Sequence, residues 1–266
     1  CSRDTSFLNN PTNNGGVTEK NRPDGVQAGL NVVDNNTVTF VLDDQDANGN
    51  HSDSAFVLGS FNNWTKSKAN KMYWDSTNNC WWLTVSNLDP STQYTYQYHM
   101  YTTRGTVDIA DPYSTKVSDP NDVYISSTTY PNMLTYPTQA NGICSVFQTK
   151  TDTYNWQSQN FSISDPNNLR IYEMLIRDFT GGANDIGNIA TAMTKLDYLK
   201  SLGMNAVELM PVEEFGGNDS WGYNPDFFFA LDKAYGTTND YKAFVDACHQ
   251  RGMAVIMDVV YNDATN

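Results

Sequence analysis

Basic residues are scarce in this chain: 16 Lys and Arg stand against 30 Asp and Glu, leaving a formal net charge of −14. That balance excludes a nucleic-acid backbone or an anionic membrane surface as the main partner, because either needs a basic patch that releases counterions. No run of 18 apolar residues occurs, so no segment reads as a transmembrane helix. The four cysteines, Cys1, Cys80, Cys144 and Cys248, lie too far apart for a zinc-ligand spacing, and a chain of 266 residues needs no disulfide framework. His51, His99 and His249 have neither a nucleophile nor a metal-ligand pattern around them, which removes a hydrolase triad and a zinc site. What is left is a chain that can bury one or two cores and that suits a neutral, polar ligand.

The first 36 residues read as a tether. Cys1, with no initiator Met before it, is followed by SRDTSFLNNPTNNGGVTEKNRPDG, a polar stretch rich in Asn, Thr and Gly. It resembles the start of a mature bacterial lipoprotein, which implies a lipid on Cys1, a membrane link through that lipid alone, and a place at the cell surface, in the periplasm or outside the cell. The alternative is that residue 1 is a fragment boundary. With few apolar residues to offset ordering entropy, residues 1 to about 30 are expected to be flexible.

Residues 37–150 carry strand signals. TVTFVL (37–42), AFVLGS (55–60), CWWLTVSNL (80–88) and YTYQYHMY (94–101) are β-branched or aromatic runs between Asn, Asp, Gly and Pro clusters. Tyr94, Tyr96, Tyr98 and Met100 fall on one face of the last run, and Thr95, Gln97 and His99 on the other. An antiparallel sandwich is the expected fold. Within it, LGSFNNWTKS (58–67) puts Trp64 beside a turn at Asn62 and Asn63. Trp64 is either a platform for a pyranose ring or a core aromatic. The stretch resembles the GSFNNW motif of family 48 carbohydrate-binding modules, immunoglobulin-like sandwiches of starch- and glycogen-acting proteins. That resemblance implies an α-glucan partner for Trp64. In this chain RGTVDIADPYS (104–114) has no tryptophan ahead of its DP turn, so a second platform is absent.

After a polar linker over 151–168, the pattern changes. LRIYEMLI (169–176), MNAVELMPV (204–212) and GMAVIMDVVY (252–261) are nearly continuous apolar runs, as expected of parallel strands covered on both faces. Between them lie two helical stretches, IGNIATAMTKLDYLKSLG and TTNDYKAFVDACHQRG, with Gly203 and Gly252 as their C-terminal stops. The βαβαβ order over 169–266 fits either a Rossmann-like domain or the opening of a TIM (β/α)8 barrel. RDFTGGAND after the first strand does not supply GxGxxG. Polar and aromatic residues do gather at the strand ends, as a barrel requires: Trp221 and Tyr223 after the second strand, and Asp258, Asn262 and Asp263 after the third.

NDSWGYNPDFFFALDKAYGT, followed by DYKAFVDACHQRGMAVIMDVVYN, resembles the second and third βα units of the α-amylase family, glycoside hydrolase family 13. The resemblance implies that Tyr223, with Trp221 beside it, stacks under a glucosyl ring, that Asp258 holds an arginine beside the nucleophile, and that Asn262 stands where a calcium ligand is found. No other cofactor is implied. Asp263 occupies the position of a histidine that donates to a sugar hydroxyl, and an ionised carboxylate only accepts. The family's catalytic carboxylates come from later strands. Glu208, Glu213, Glu214, Asp219 and Asp258 are acids near the strand ends, but retaining hydrolysis needs two carboxyls about 5 Å apart. The chain is therefore expected to be the N-terminal part of a retaining glycoside hydrolase or transferase acting on starch, glycogen or pullulan, itself inactive. The other reading is a non-catalytic surface α-glucan-binding lipoprotein.

Overall fold

The computed structural model describes residues 16–182 and 186–264. The expected lipidation at Cys1 lies outside them. Two compact units result, one running to Pro120 and including Thr135–Thr151, the other comprising Asn121–Leu134 and the chain from Asp152 onward.

The first unit is all β. β1 (Gly29–Asp34), β2 (Thr37–Asp43), β4 (Tyr73–Asp75) and β5 (Cys80–Val85) form an antiparallel sheet in the order β1-β2-β5-β4. β3 (Ser54–Gly59), β6 (Tyr94–Thr102), β8 (Val117–Ser118) and β9 (Cys144–Phe147) form a second in the order β3-β6-β9-β8, and β7 (Gly105–Ile109) pairs with β6. Val38, Phe40 and Leu42 from one sheet meet Val57, Tyr96, Tyr98 and Phe147 from the other in one core. The period-2 reading of β6 holds, since Tyr96, Tyr98 and Met100 enter that core while Gln97 turns away and donates to the carbonyls of Asn141 and Ile143. Residues 17–36 differ from the tether expected there. Lys20 N donates to Trp74 O, Trp82 Nε1 donates to Lys20 O, and β1 pairs along β2, so the backbone finds partners that its polar side chains do not advertise.

The GSFNNW stretch owes most of its composition to this unit's own architecture. A Cβ on Gly59 would sit 2.3 Å from Thr95 O, so only glycine fits there. Ser60 Oγ accepts from Thr95 N, Phe61 stacks on Phe40, and Asn62 Oδ1 accepts from Gly59 N. Asn63 and Trp64 both take left-handed backbone angles, with φ of 54° and 55°. For a residue as bulky as Trp64 that conformation is uncommon.

In the second unit, β10 (Ile171–Met174), β11 (Ala206–Leu209) and β14 (Ala254–Met257) form a parallel sheet in the order β10-β11-β14. Helices α1 (Ile176–Phe179), α2 (Ile189–Met193), α3 (Leu196–Ser201) and α4 (Thr238–Gln250) accompany it. Ile189, Leu196, Leu199, Phe244 and Cys248 pack against Val207 and Leu209 in its core. Gly203 and Gly252, at φ of 83° and 71°, stop α3 and α4 as read from the sequence.

Three features depart from the sequence reading. The first helical stretch is two helices, because the Thr194 hydroxyl donates to Thr191 O and competes with the backbone ladder. The strand expected over 252–261 ends at Met257: its last ladder bond runs from Asp258 N to Leu209 O, and its partner chain then reaches Pro211, which has no N–H to offer. The loop expected after the second strand contains a bulged antiparallel hairpin, β12 (Glu213–Phe215) with β13 (Pro225–Leu231). Aromatic residues Phe227 to Phe229 had a strand signature there that the motif reading passed over.

Candidate functional site

Parallel pairing sets Met174, Leu209 and Met257 level with one another, so β10, β11 and β14 end together. Asp258 follows at once, half-buried. Facing it is the loop 216–224 between β12 and β13. The Tyr223 hydroxyl donates to Asp258 Oδ2 at 2.6 Å, and the carboxylate pushes the phenol's pKa up to about 12. Trp221 and Tyr223 are 62% and 42% exposed, which leaves ring faces open to a ligand. Gly222 between them has φ of 91°, and a Cβ there would lie 2.3 Å from Pro211 O. The loop is closed at its base by Gly216 N donating to Asn224 O and by Ser220 Oγ donating to Asn224 Oδ1.

The acids singled out from the sequence separate into distinct environments. Glu213 is buried, and one of its oxygens, Oε2, has no hydrogen-bond partner among the described residues. It lines a cavity of about 220 Å³ with Phe228, Met257, Asp258 and Tyr261. Burial, with Asp258 adding to it, holds its carboxyl above the usual range. Glu214 is spent on Lys233, whose Nζ donates to Glu214 Oε1 at 2.8 Å and stands 3.4 Å from Asp122 Oδ1. All three are nearly inaccessible, as is Asp232, whose pKa burial pushes up to about 7. Asp219 is bound by the Arg177 guanidinium. Glu208 is half-buried within β11.

Tyr223 and Asp258 are thus brought together, with Trp221 on the same loop. Asn262 and Asp263 lie exposed beyond the strand end, and among the described residues no group of three or more His, Cys, Asp or Glu is arranged to hold a metal ion. Trp64 is half-buried on the β3–β4 connection of the first unit. The sequence reading missed Asp122, Asp232, Lys233 and Arg177. Asp122 and Lys233 meet only through the fold, so no local spacing marks them. Arg177 could have been suspected, because an arginine three residues past the first parallel strand reaches the loops at that end.

A shallow end formed by parallel strands, an exposed aromatic loop and a tyrosine held by a carboxylate can grip an uncharged ring by its faces and its hydroxyls. Two stretches of the chain match known families. Residues 148–266 match the alpha amylase catalytic domain. Residues 48–114 match carbohydrate-binding module 48, the isoamylase N-terminal domain. Malto-oligosyltrehalose trehalohydrolase of Arthrobacter ramosus is 41% identical over 109 residues, which is 41% of this chain and 18% of that enzyme. The enzyme of the same name from Saccharolobus solfataricus is 31% identical over 156 residues, 59% of this chain and 26% of its own length. The chain therefore aligns with no more than about a quarter of these relatives. Among solved structures, the GBS pullulanase SAP in complex with maltotetraose superposes with a TM-score of 0.69 at 21% identity, over 91% of this chain and 34% of its own. That likeness establishes a shared fold.

Proposed function

We propose that this chain supplies the ligand-holding N-terminal part of an α-glucan-acting glycoside hydrolase or transferase, built as a family 48-type sandwich followed by the first three βα units of a (β/α)8 barrel. The observation that carries the reading is the Tyr223–Asp258 pair at the shared end of β10, β11 and β14, inside the stretch that matches the alpha amylase catalytic domain. Tyr223 and Trp221 stack on glucosyl rings, and Asp258 fixes the phenol while leaving its Oδ1 for a cationic neighbour. Asp263 accepts from a sugar hydroxyl, and Asn262 offers a carbonyl oxygen to calcium in a longer protein. Retaining chemistry in such a protein passes through a covalent glucosyl intermediate on carboxylates outside this chain. Residues 1–266 alone bind α-glucan and hydrolyse none. Isothermal titration with maltotetraose, together with a reducing-end assay on starch, pullulan and glycogen, tests both halves. Binding lost in Tyr223→Ala supports the reading, whereas reducing-end release that disappears in Glu208→Gln or Asp258→Asn overturns the inactivity.

A second reading is a surface α-glucan-binding lipoprotein in which the sandwich is the working part. It is favoured by the partly exposed Trp64 within the stretch that matches carbohydrate-binding module 48. Retardation in an amylopectin gel that depends on Trp64 and not on Tyr223 would select it.

A further inference from the structure

Three successive residues just ahead of Trp221 are each held by a different part of the second unit. Asn218 Nδ2 donates to Asn121 O at 2.7 Å. The Asp219 carboxylate is gripped by Arg177 of α1. Ser220 O accepts from the Tyr235 hydroxyl at 3.4 Å. Asn121 opens the segment 121–134, in which the chain leaves the first unit at Pro120, is built into the second, and returns at Thr135.

This strap is itself secured along its length. Asp122, 3% exposed, faces Lys233 Nζ at 3.4 Å, and that same nitrogen donates to Glu214 of β12 at 2.8 Å. Thr129 Oγ1 accepts from Asn188 Nδ2 at 3.2 Å, and Tyr130 is buried. Trp221, 62% exposed, has little apolar contact of its own to hold it, so its place is set by these polar ties together with the Tyr223–Asp258 bond and the packing of Gly222 on Pro211. A ligand that stacks on a loop already in place incurs less ordering entropy than one that must first collect it.

We propose that residues 121–134 are a positioning strap for the sugar-binding loop, with Asn218 and Arg177 as positioning residues that hold Trp221 and Tyr223 ready for a neutral oligosaccharide. The sandwich sequence thereby contributes to the site through an inserted segment and not only through its own surface. The inference rests on the α-glucan reading of the Tyr223–Asp258 end.

The test uses the full chain and maltotetraose. Asn218→Asp keeps the shape, removes the donor to Asn121 O and sets a carboxylate against a carbonyl. It should weaken maltotetraose about fivefold and speed amide exchange across 216–224, with exchange in α4 and the melting temperature unchanged. Asn218→Gln, which keeps an amide donor, should recover most of the affinity. In a Trp221→Ala background Asn218→Asp should cost clearly less than in the wild type, because part of its effect runs through the indole; an undiminished additional loss would mean that it acts elsewhere and would overturn the proposal. If Trp221→Ala weakens binding while Asn218→Asp binds as tightly as the wild type, the loop needs no strap; the inference then falls and the α-glucan reading stands. If neither Trp221→Ala nor Tyr223→Ala affects binding, the reading of the site itself is overturned, and the strap's role with it.

Discussion

Tyr223 and Asp258 are 35 positions apart in the chain and 2.6 Å apart in space, joined by a hydrogen bond from phenol to carboxylate. The bond ties the loop between β12 and β13 to the end of β14, so the two segments at the shared strand end are fixed relative to each other. It also has a spectroscopic signature. With Asp258 ionised beside it, the Tyr223 phenol loses its proton only at about 12. Asp258→Asn removes the charge, and the ultraviolet difference titration against Tyr223→Phe should then show this tyrosine moving down toward the ordinary value near 10. An unmoved titration would mean that the carboxylate does not face the phenol in solution.

The same pair separates the ring's role from the hydroxyl's. If the ring stacks on a sugar, Tyr223→Phe should keep most of the maltotetraose affinity and Tyr223→Ala should lose about 1 to 3 kcal/mol of binding. Equal losses in the two variants would show that the hydroxyl, and not the ring face, carries the contact.

Gly222 admits no side chain. Its φ of 91° and the 2.3 Å approach of a would-be Cβ to Pro211 O combine strain with a backbone clash, neither relieved by a rotamer change. Gly222→Ala should destabilise the second unit by about 1 to 3 kcal/mol and displace Trp221 and Tyr223. Differential scanning calorimetry reads the first effect and maltotetraose titration the second. A variant with wild-type melting and binding would contradict the close packing of the loop on Pro211.

The sequence made the strand ends legible and the acids around them illegible. Alternating and continuous apolar runs located β6, β10, β11 and the start of β14, and Gly203 and Gly252 marked the helix stops, because each of those signals is local. Tyr223 and Asp258 could be singled out from motif resemblance, since WGYNP and DVVYN are contiguous stretches. Glu213 and Glu214, neighbours in sequence, could not be told apart: strand alternation sends one into a cavity and the other to Lys233. The strap was hidden for the same reason, as NDVYISSTTYPNML has no composition that distinguishes it from the sandwich sequence on either side. Its place in the second unit shows in Asp122 meeting Lys233 and Thr129 meeting Asn188, contacts that no periodicity encodes.

Lys233 meets Glu214 and Asp122 and acts on Asp232 as well, with the phenols of Tyr235 and Tyr241 nearby. Replacing it with Met leaves buried carboxylates uncompensated and should cost about 3 to 5 kcal/mol near neutral pH, less in acid where the carboxyls take up protons. Asp232 sets a slope of its own. Its folded pKa of about 7 lies above the ordinary 3.8, so between those values the folded state holds a proton that the unfolded state has released. Stability from this group is full below pH 4, declines as pH rises through 4 to 7, and is flat above. The raised Glu214 works in the same direction. Urea unfolding of Asp232→Asn across pH 4 to 8 should show a shallower decline than the wild type, and parallel curves would refute the shift.

The strap also predicts how the chain comes apart. A fold divided at the linker would release an intact sandwich over 37–150 and a separate second unit once a protease cuts near Lys150. Instead, Asn121–Leu134 lies among the contacts of the second unit, with Asp122 meeting Lys233 and Thr129 meeting Asn188. After a single cut between residues 150 and 153, the two fragments should co-elute in native size-exclusion chromatography and separate only in denaturant. A fragment starting at Asp152 and made alone would lack the Asp122 carboxylate and the Thr129 hydroxyl, leaving Lys233 with one fewer counter-charge and Asn188 without this acceptor. It should fail to reach the far-ultraviolet circular dichroism expected of its share of the native spectrum, and adding a peptide of residues 121–134 should restore part of it. Clean separation of the nicked fragments under native conditions, with the smaller one retaining its fold, would show that the strap is dispensable to the unit it is built into.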